Sequence, residues 1–191
     1  MSLIKKSFPK SITIQKNSTR KIKKNNKKIA KTRRQRGYHW EDTIVKRFNA
    51  LEDWKAFRLG SPSVALPDIL AVSTENSTLF TIEAKSGTVM SLPVPADQIE
   101  RCLKWAETFE LYKTRKVVLA FKFLSKKRVG LGQYESRQLR EFFKVWDPKI
   151  GISDCVCTYE GETYIHKEGE KHKINLKDYK MPFKTKSKLD D

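Results

Sequence analysis

Two short apolar runs at residues 68–72 and 79–85 bracket the turn-forming stretch Ser73-Thr74-Glu75-Asn76-Ser77, and this spacing predicts a β-hairpin. Alternation along the second strand puts Glu83 and Lys85 on one face and Ile82 and Ala84 on the other. Pro67-Asp68 opens the first strand, so Asp68 can lie across from Glu83. Two carboxylates and one ammonium then converge at one end of an otherwise apolar hairpin. Carboxylates are hard oxygen donors suited to Mg²⁺, which keeps several waters and bridges to phosphate oxygens. Such an ion polarises a phosphodiester and makes a bound water nucleophilic, while a neighbouring lysine orients that water or offsets developing charge. A surface hairpin with solvated charges also carries Glu-x-Lys; Pro-Asp, apolar strand, turn, apolar strand, Glu-x-Lys is a much less common order.

A third acid precedes the hairpin. Trp40, Ile44, Phe48 and Leu51 recur at helical spacing, with Val45 widening the stripe, and predict a helix over residues 38–51. Glu41 falls on the flank of that stripe, where a carboxylate is costly unless partnered. It either joins Asp68 and Glu83 or stabilises the helix N-terminus. A strand over residues 54–59 enters the loop Gly60-Ser61-Pro62-Ser63. Ser61 or Ser63 could touch a phosphate; equally, both fit ordinary turns.

Beyond Lys85, a proline-punctuated stretch leads to a predicted helix over residues 96–110, with Ile99, Cys102, Leu103 and Ala106 inward and Gln98 in its first turn. Residues 117–123 are almost continuously apolar, as in a strand covered on both faces. The fold class is therefore α/β, with a mixed sheet flanked by helices. Lys126, Lys127 and Arg128 form a basic cluster, and Leu139, Phe142, Phe143 and Trp146 predict a further helix over residues 135–146. Residues 155–159 and 163–166 flank Glu160-Gly161 and predict a second hairpin. Cys155, Cys157, His166 and His172 match zinc in number, but Cys-x-Cys is not the usual knuckle spacing and suits core packing as well.

The 191 residues suffice for one domain with tails, and a net charge of +18 points to a polyanionic partner. Residues 1–36 carry 14 lysines and arginines and no acid, leaving 26 bases against 22 acids elsewhere. We divide the chain into a basic, disordered tail (1–34), a core (35–147), a C-terminal hairpin extension (148–183) and a frayed end (184–191). Like charges and few large apolar groups keep such a tail from ordering alone, and on DNA it would contact phosphates non-specifically. A solubilising tail is the plainer alternative. No stretch approaches the ~20 apolar residues of a membrane helix. Three cysteines, Cys102, Cys155 and Cys157, make no even disulfide framework. The expected setting is the cytoplasm, associated with the nucleoid; an organellar transit peptide would also be basic, but richer in arginine.

Arg36-Gly37…Glu41 on a first helix, Pro67-Asp68, Ile82-Glu83-Ala84-Lys85-Ser86 and Gln98 near the start of a later helix together resemble the archaeal Holliday junction resolvase family. That family lies among the restriction-endonuclease-like PD-(D/E)xK nucleases, and the resemblance spans about residues 33–128. It implies a restriction-endonuclease-like core in which Glu41, Asp68, Glu83 and the Ala84 carbonyl bind Mg²⁺, one or two ions per subunit, with Mn²⁺ as a substitute. Lys85 would assist the attacking water, and Ser61 matches a serine carried in the loop before the aspartate. The implied activity is paired cleavage of four-way DNA junctions by a homodimer. Two departures stand out: residues 61–65 and 87–91 are uncharged here, where many relatives are basic. The junction surface is then assigned to Arg33, Arg34, Arg36, Gln98, Lys126, Lys127 and Arg128. Otherwise the chain is a nuclease for other DNA, or a non-catalytic DNA-binding module of the same fold.

Overall fold

The computed structural model describes residues 12–60, 65–167 and 169–185, with side chains from residue 30 onward, Arg33 excepted. Two compact units result, Met1–Gln35 and Arg36–Asp191. Ser61 and Ser63 lie outside the described residues, as do residues 1–11, residues 186–191 and the Arg33 side chain.

Helix α1 spans Ile12–Asn49 and so begins well before Tyr38, where the apolar stripe first appears. Its added turns take in most of the segment expected to be a disordered tail (1–34), and they are rich in lysine and arginine, good helix formers, with no proline among them. They carry no stripe, which is why periodicity does not detect them.

Strands β1 (Lys55–Arg58), β2 (Ile69–Ser73), β3 (Thr78–Gly87), β5 (Thr114–Phe123) and β8 (Arg140–Val145) form a sheet in the order β1-β2-β3-β5-β8. β2 and β3 make the expected hairpin, with Ile69 opposite Ile82. β3 and β5 pair in parallel, Ala84 beside Ala120, whereas β1 with β2 and β5 with β8 are antiparallel. This is the expected mixed sheet, and the link between its parallel strands runs through β4 (Ser91–Val94) and α2 (Ala96–Thr108).

Each face of the sheet has its own core. Trp40, Ile44 and Phe48 of α1 pack on Ile69, Phe80, Ile82, Ala84, Val118, Ala120 and Phe143. On the opposite face, Leu79, Leu119, Phe121 and Phe123 meet Ile99 and Cys102 of α2. Burying each large apolar side chain here contributes about 1.5–3 kcal/mol. The almost continuous apolar run over residues 117–123 of β5 follows directly, since both of its faces are covered there.

A second sheet, β11-β10-β9-β4, joins β4 to three C-terminal strands, β9 (Cys155–Thr158), β10 (Thr163–Lys167) and β11 (Glu170–Ile174). The expected second hairpin is β9–β10, and its turn requires Gly161: φ is +83°, and a Cβ would stand 2.6 Å from the Phe142 ring. Cys155 and Cys157 face inward, and burial pushes both thiols up to about 12, while His166 is exposed. Core packing, not zinc, accounts for the two cysteines; among the described residues no group of His, Cys, Asp or Glu is placed to hold a metal.

The helix predicted over 135–146 is not formed. That segment is β7 (Tyr134–Ser136), paired with β6 (Lys126–Arg128), followed by β8. Phe143 packs into the α1-side core and Phe142 against the other, so each face of β8 carries a core aromatic and its apolar residues do not follow a two-residue period. Spacing alone then mimics a helix. Among the described residues, no helix is long and apolar enough to cross a membrane.

Candidate active site

Asp68, Glu83 and Lys85 gather where β2 meets β3, at the end of the sheet that Ile69 and Ile82 begin. The Ala84 N–H donates to Asp68 Oδ2 at 2.8 Å, fixing that carboxylate against the neighbouring strand. Glu83 is fully buried, and Lys85 Nζ lies 2.6 Å from its Oε1, on the same side of β3 as alternation predicts.

A second cation, not anticipated from the sequence, completes the pair: Arg101 of α2 donates to Glu83 Oε2 at 2.9 Å. Its helix is held in place by Thr81, whose hydroxyl donates to the Cys102 carbonyl at 2.9 Å. Arg101 sits among Ile99 and Cys102 on an amphipathic helix, and a cation at that position was the available signal. Gln98, one turn earlier, shares its flank of α2. Gln98 Oε1 and Arg101 Nε are both buried without a hydrogen-bond partner among the described residues.

Glu41 arrives from α1. The preceding residue, Trp40, donates from Nε1 to the Ala120 carbonyl at 3.1 Å, and Ala120 is the register partner of Ala84. That bond sets the height of Glu41 beside the end of β3. Arg58 Nη1 stands 4.0 Å from Glu41 Oε2, with its Nε 3.6 Å from Asp42 Oδ1. Gly60 lies between the acids: a Cβ there would be 3.6 Å from Asp68 Oδ1 and 3.7 Å from Glu41 Oε2. Both carboxylates therefore border one gap that glycine leaves open.

The electrostatics identify what the gap suits. Burial, then the charge of Asp68, raises Glu41 to about 7; burial, then Glu83, raises Asp68 to about 6, against the Ala84 N–H that lowers it. Negative charge is crowded here beyond what the side chains neutralise, as Lys85 and Arg101 are both committed to Glu83. The three acids are not spaced to grip an ion as they stand. Their chemistry nevertheless fits a hard divalent cation: oxygen donors, part-desolvated, bordering a gap without a side chain.

A prediction follows from these two acids. Between about pH 4, the ordinary carboxylate range, and about pH 7, the folded chain keeps protons that the unfolded chain has released. Stability therefore falls as pH rises through this window, and the loss is complete above it. Glu41→Gln should leave Tm unchanged near pH 4 and raise it by several degrees at pH 8, about 1–3 kcal/mol. Excess Mg²⁺ should shrink that gain by stabilising the parent. A calorimetric gain independent of pH would contradict it.

Of the assigned nucleic-acid contacts, Lys126, Lys127 and Arg128 form β6, whose Arg128 N–H donates to the Thr88 carbonyl at 2.9 Å just past the end of β3. Arg36 is half-buried and Arg34 exposed on α1.

The profile of a known family, described as archaeal Holliday junction resolvase (hjc), matches residues 32–144. Among solved structures, a Holliday junction resolvase from Archaeoglobus fulgidus is 24% identical, with a TM-score of 0.39, over 56% of this chain and 75% of that one. No curated protein matches the sequence.

Proposed function

The chain belongs to the archaeal Holliday junction resolvase family, and on that premise we propose that it is a Mg²⁺-dependent endonuclease that resolves four-way DNA junctions by paired phosphodiester hydrolysis. The observation that carries this reading is the meeting of Asp68, Glu83 and Lys85 at one sheet end, with Glu41 bordering the same gap. Glu41, Asp68 and Glu83, with the Ala84 carbonyl, would hold the cation. When bound, it supplies Lewis-acid polarisation of the phosphate and acidifies a water. Lys85, braced by Glu83, orients the attacking water and offsets charge developing on the phosphate. Arg101 holds Glu83 from the opposite oxygen and so keeps that brace aligned.

Two such sites in a homodimer would address opposed strands of the junction. Arg33, Arg34, Arg36, Gln98 and the β6 cations would contact DNA, and Lys126 and Lys127 have no acidic partner within ion-pair distance among the described residues. Ser61 is assigned to the scissile phosphate through the resemblance alone.

The test compares an immobile four-way junction with matched linear duplex, with Mg²⁺ and with chelator. Paired nicks confined to the junction and abolished by chelator are expected. Equal cleavage of duplex would make the chain a nuclease for other DNA, and junction binding without products would make it a non-catalytic module.

A further inference from the structure

Strands β6 and β7 form a two-stranded ribbon outside both larger sheets, with Lys127 opposite Glu135 and Arg128 opposite Tyr134. Its root is firmly tied. The Leu124 N–H donates to the Gly87 carbonyl at 2.9 Å, and the Arg137 guanidinium reaches the carbonyls of Leu124, Gly87 and Val89 at 2.8, 3.3 and 3.1 Å. Arg137 also lies over the Tyr159 ring at 4.5 Å. The root of the ribbon is thus anchored on Gly87, two residues beyond Lys85 on β3.

Its tip is apolar and wet. Leu131 is 89% exposed, Tyr134 47% and Val129 45%, and the adjoining turn exposes Val89 and Met90. These are five of the eight large apolar side chains left exposed among the described residues, so the exposure is concentrated rather than scattered. Directly behind the tip stand Lys126, Lys127 and Arg128. A basic stem suits phosphates, and an apolar tip suits the space between bases, where Leu or Met side chains act as wedges. A second copy of the chain fits poorly, since the stem would meet its own like charges. At a four-way junction stacking is interrupted at the crossover, so the bases there are the cheapest to part.

We propose that the β6–β7 ribbon is a branch-point probe: Leu131, flanked by Val129 and Tyr134, inserts between bases at the crossover while Lys126, Lys127 and Arg128 hold the adjoining phosphates. This rests on the junction reading above and deepens it, because selectivity for a branch needs a group that senses broken stacking.

The full chain is titrated in chelator against junctions carrying 2-aminopurine either at the crossover or mid-arm. The parent should raise the crossover fluorescence several-fold and leave the arm signal flat. Leu131→Ser, at a position too exposed to affect folding, should lose most of that rise. Its preference for junction over duplex should drop about tenfold, with duplex affinity unchanged. The Lys126→Ala/Lys127→Ala variant should bind both DNAs more weakly, its log–log salt slope smaller by about 2. A flat crossover signal with the parent, an unchanged signal and preference with Leu131→Ser, or a change in the solution mass of that variant would each overturn the proposal. No Mg²⁺ is present, so a failure of the nuclease reading registers separately, as absent cleavage by the parent when Mg²⁺ is supplied.

Discussion

Asp68→Asn is expected to lower the single-turnover rate of junction cleavage by about 10³-fold or more, while junction affinity in chelator stays constant or tightens. The substitution preserves shape, and an asparagine carbonyl can still accept the Ala84 N–H that Asp68 Oδ2 accepts at 2.8 Å. What disappears is one negative oxygen donor bordering the gap at Gly60. Losing it would weaken the hold on the divalent cation proposed for this site and would also remove repulsion toward phosphates, so rate and affinity should move apart. Substantial residual cleavage would remove Asp68 from the site.

The second large effect concerns stability. Glu141 of β8 is fully buried, and Arg47 of α1 grips it at 2.7 and 3.1 Å, with Lys122 Nζ at 3.5 Å. Arg47→Met should destabilise by about 3 kcal/mol, the lower end of the cost of leaving a buried charge without its partner, because Lys122 still offsets part of it. Denaturant midpoints measure this. Pairing Arg47→Met with Glu141→Gln should restore much of the loss, and a strictly additive double variant would show that the two side chains are not coupled.

These two sites also mark what could be read from the chain alone. The β2–β3 hairpin, the placement of Lys85 beside Glu83 and the flank position of Glu41 all follow from local periods, of two on a strand and 3.6 on a helix. Residues 117–123 were legible because a strand buried on both faces leaves an almost continuous apolar run, interrupted only by Lys122. The Glu141 cluster was not, since its partner on α1 lies 94 residues away and a buried acid looks like any surface acid until that partner is known. Arg101 was missed for the same reason: a cation beside an apolar stripe signals something buried, but not that Glu83 awaits it. The basic stretch of α1 from Ile12 escaped detection because helix propensity without an apolar stripe leaves no periodic mark.

The outermost strand of the second sheet, β11, is built from Glu170, Lys171, His172, Lys173 and Ile174, the first four of them exposed. Unpaired backbone on a sheet margin invites recruitment of a neighbouring chain, and a run of charge there discourages it. On the first sheet, the margin at β8 is already occupied, since the Tyr179 N–H donates to the Phe143 carbonyl and the Val145 N–H to that of Lys177. Lateral growth from one molecule to the next is thus disfavoured at these two edges, β11 by its charge and β8 by the chain already paired with it.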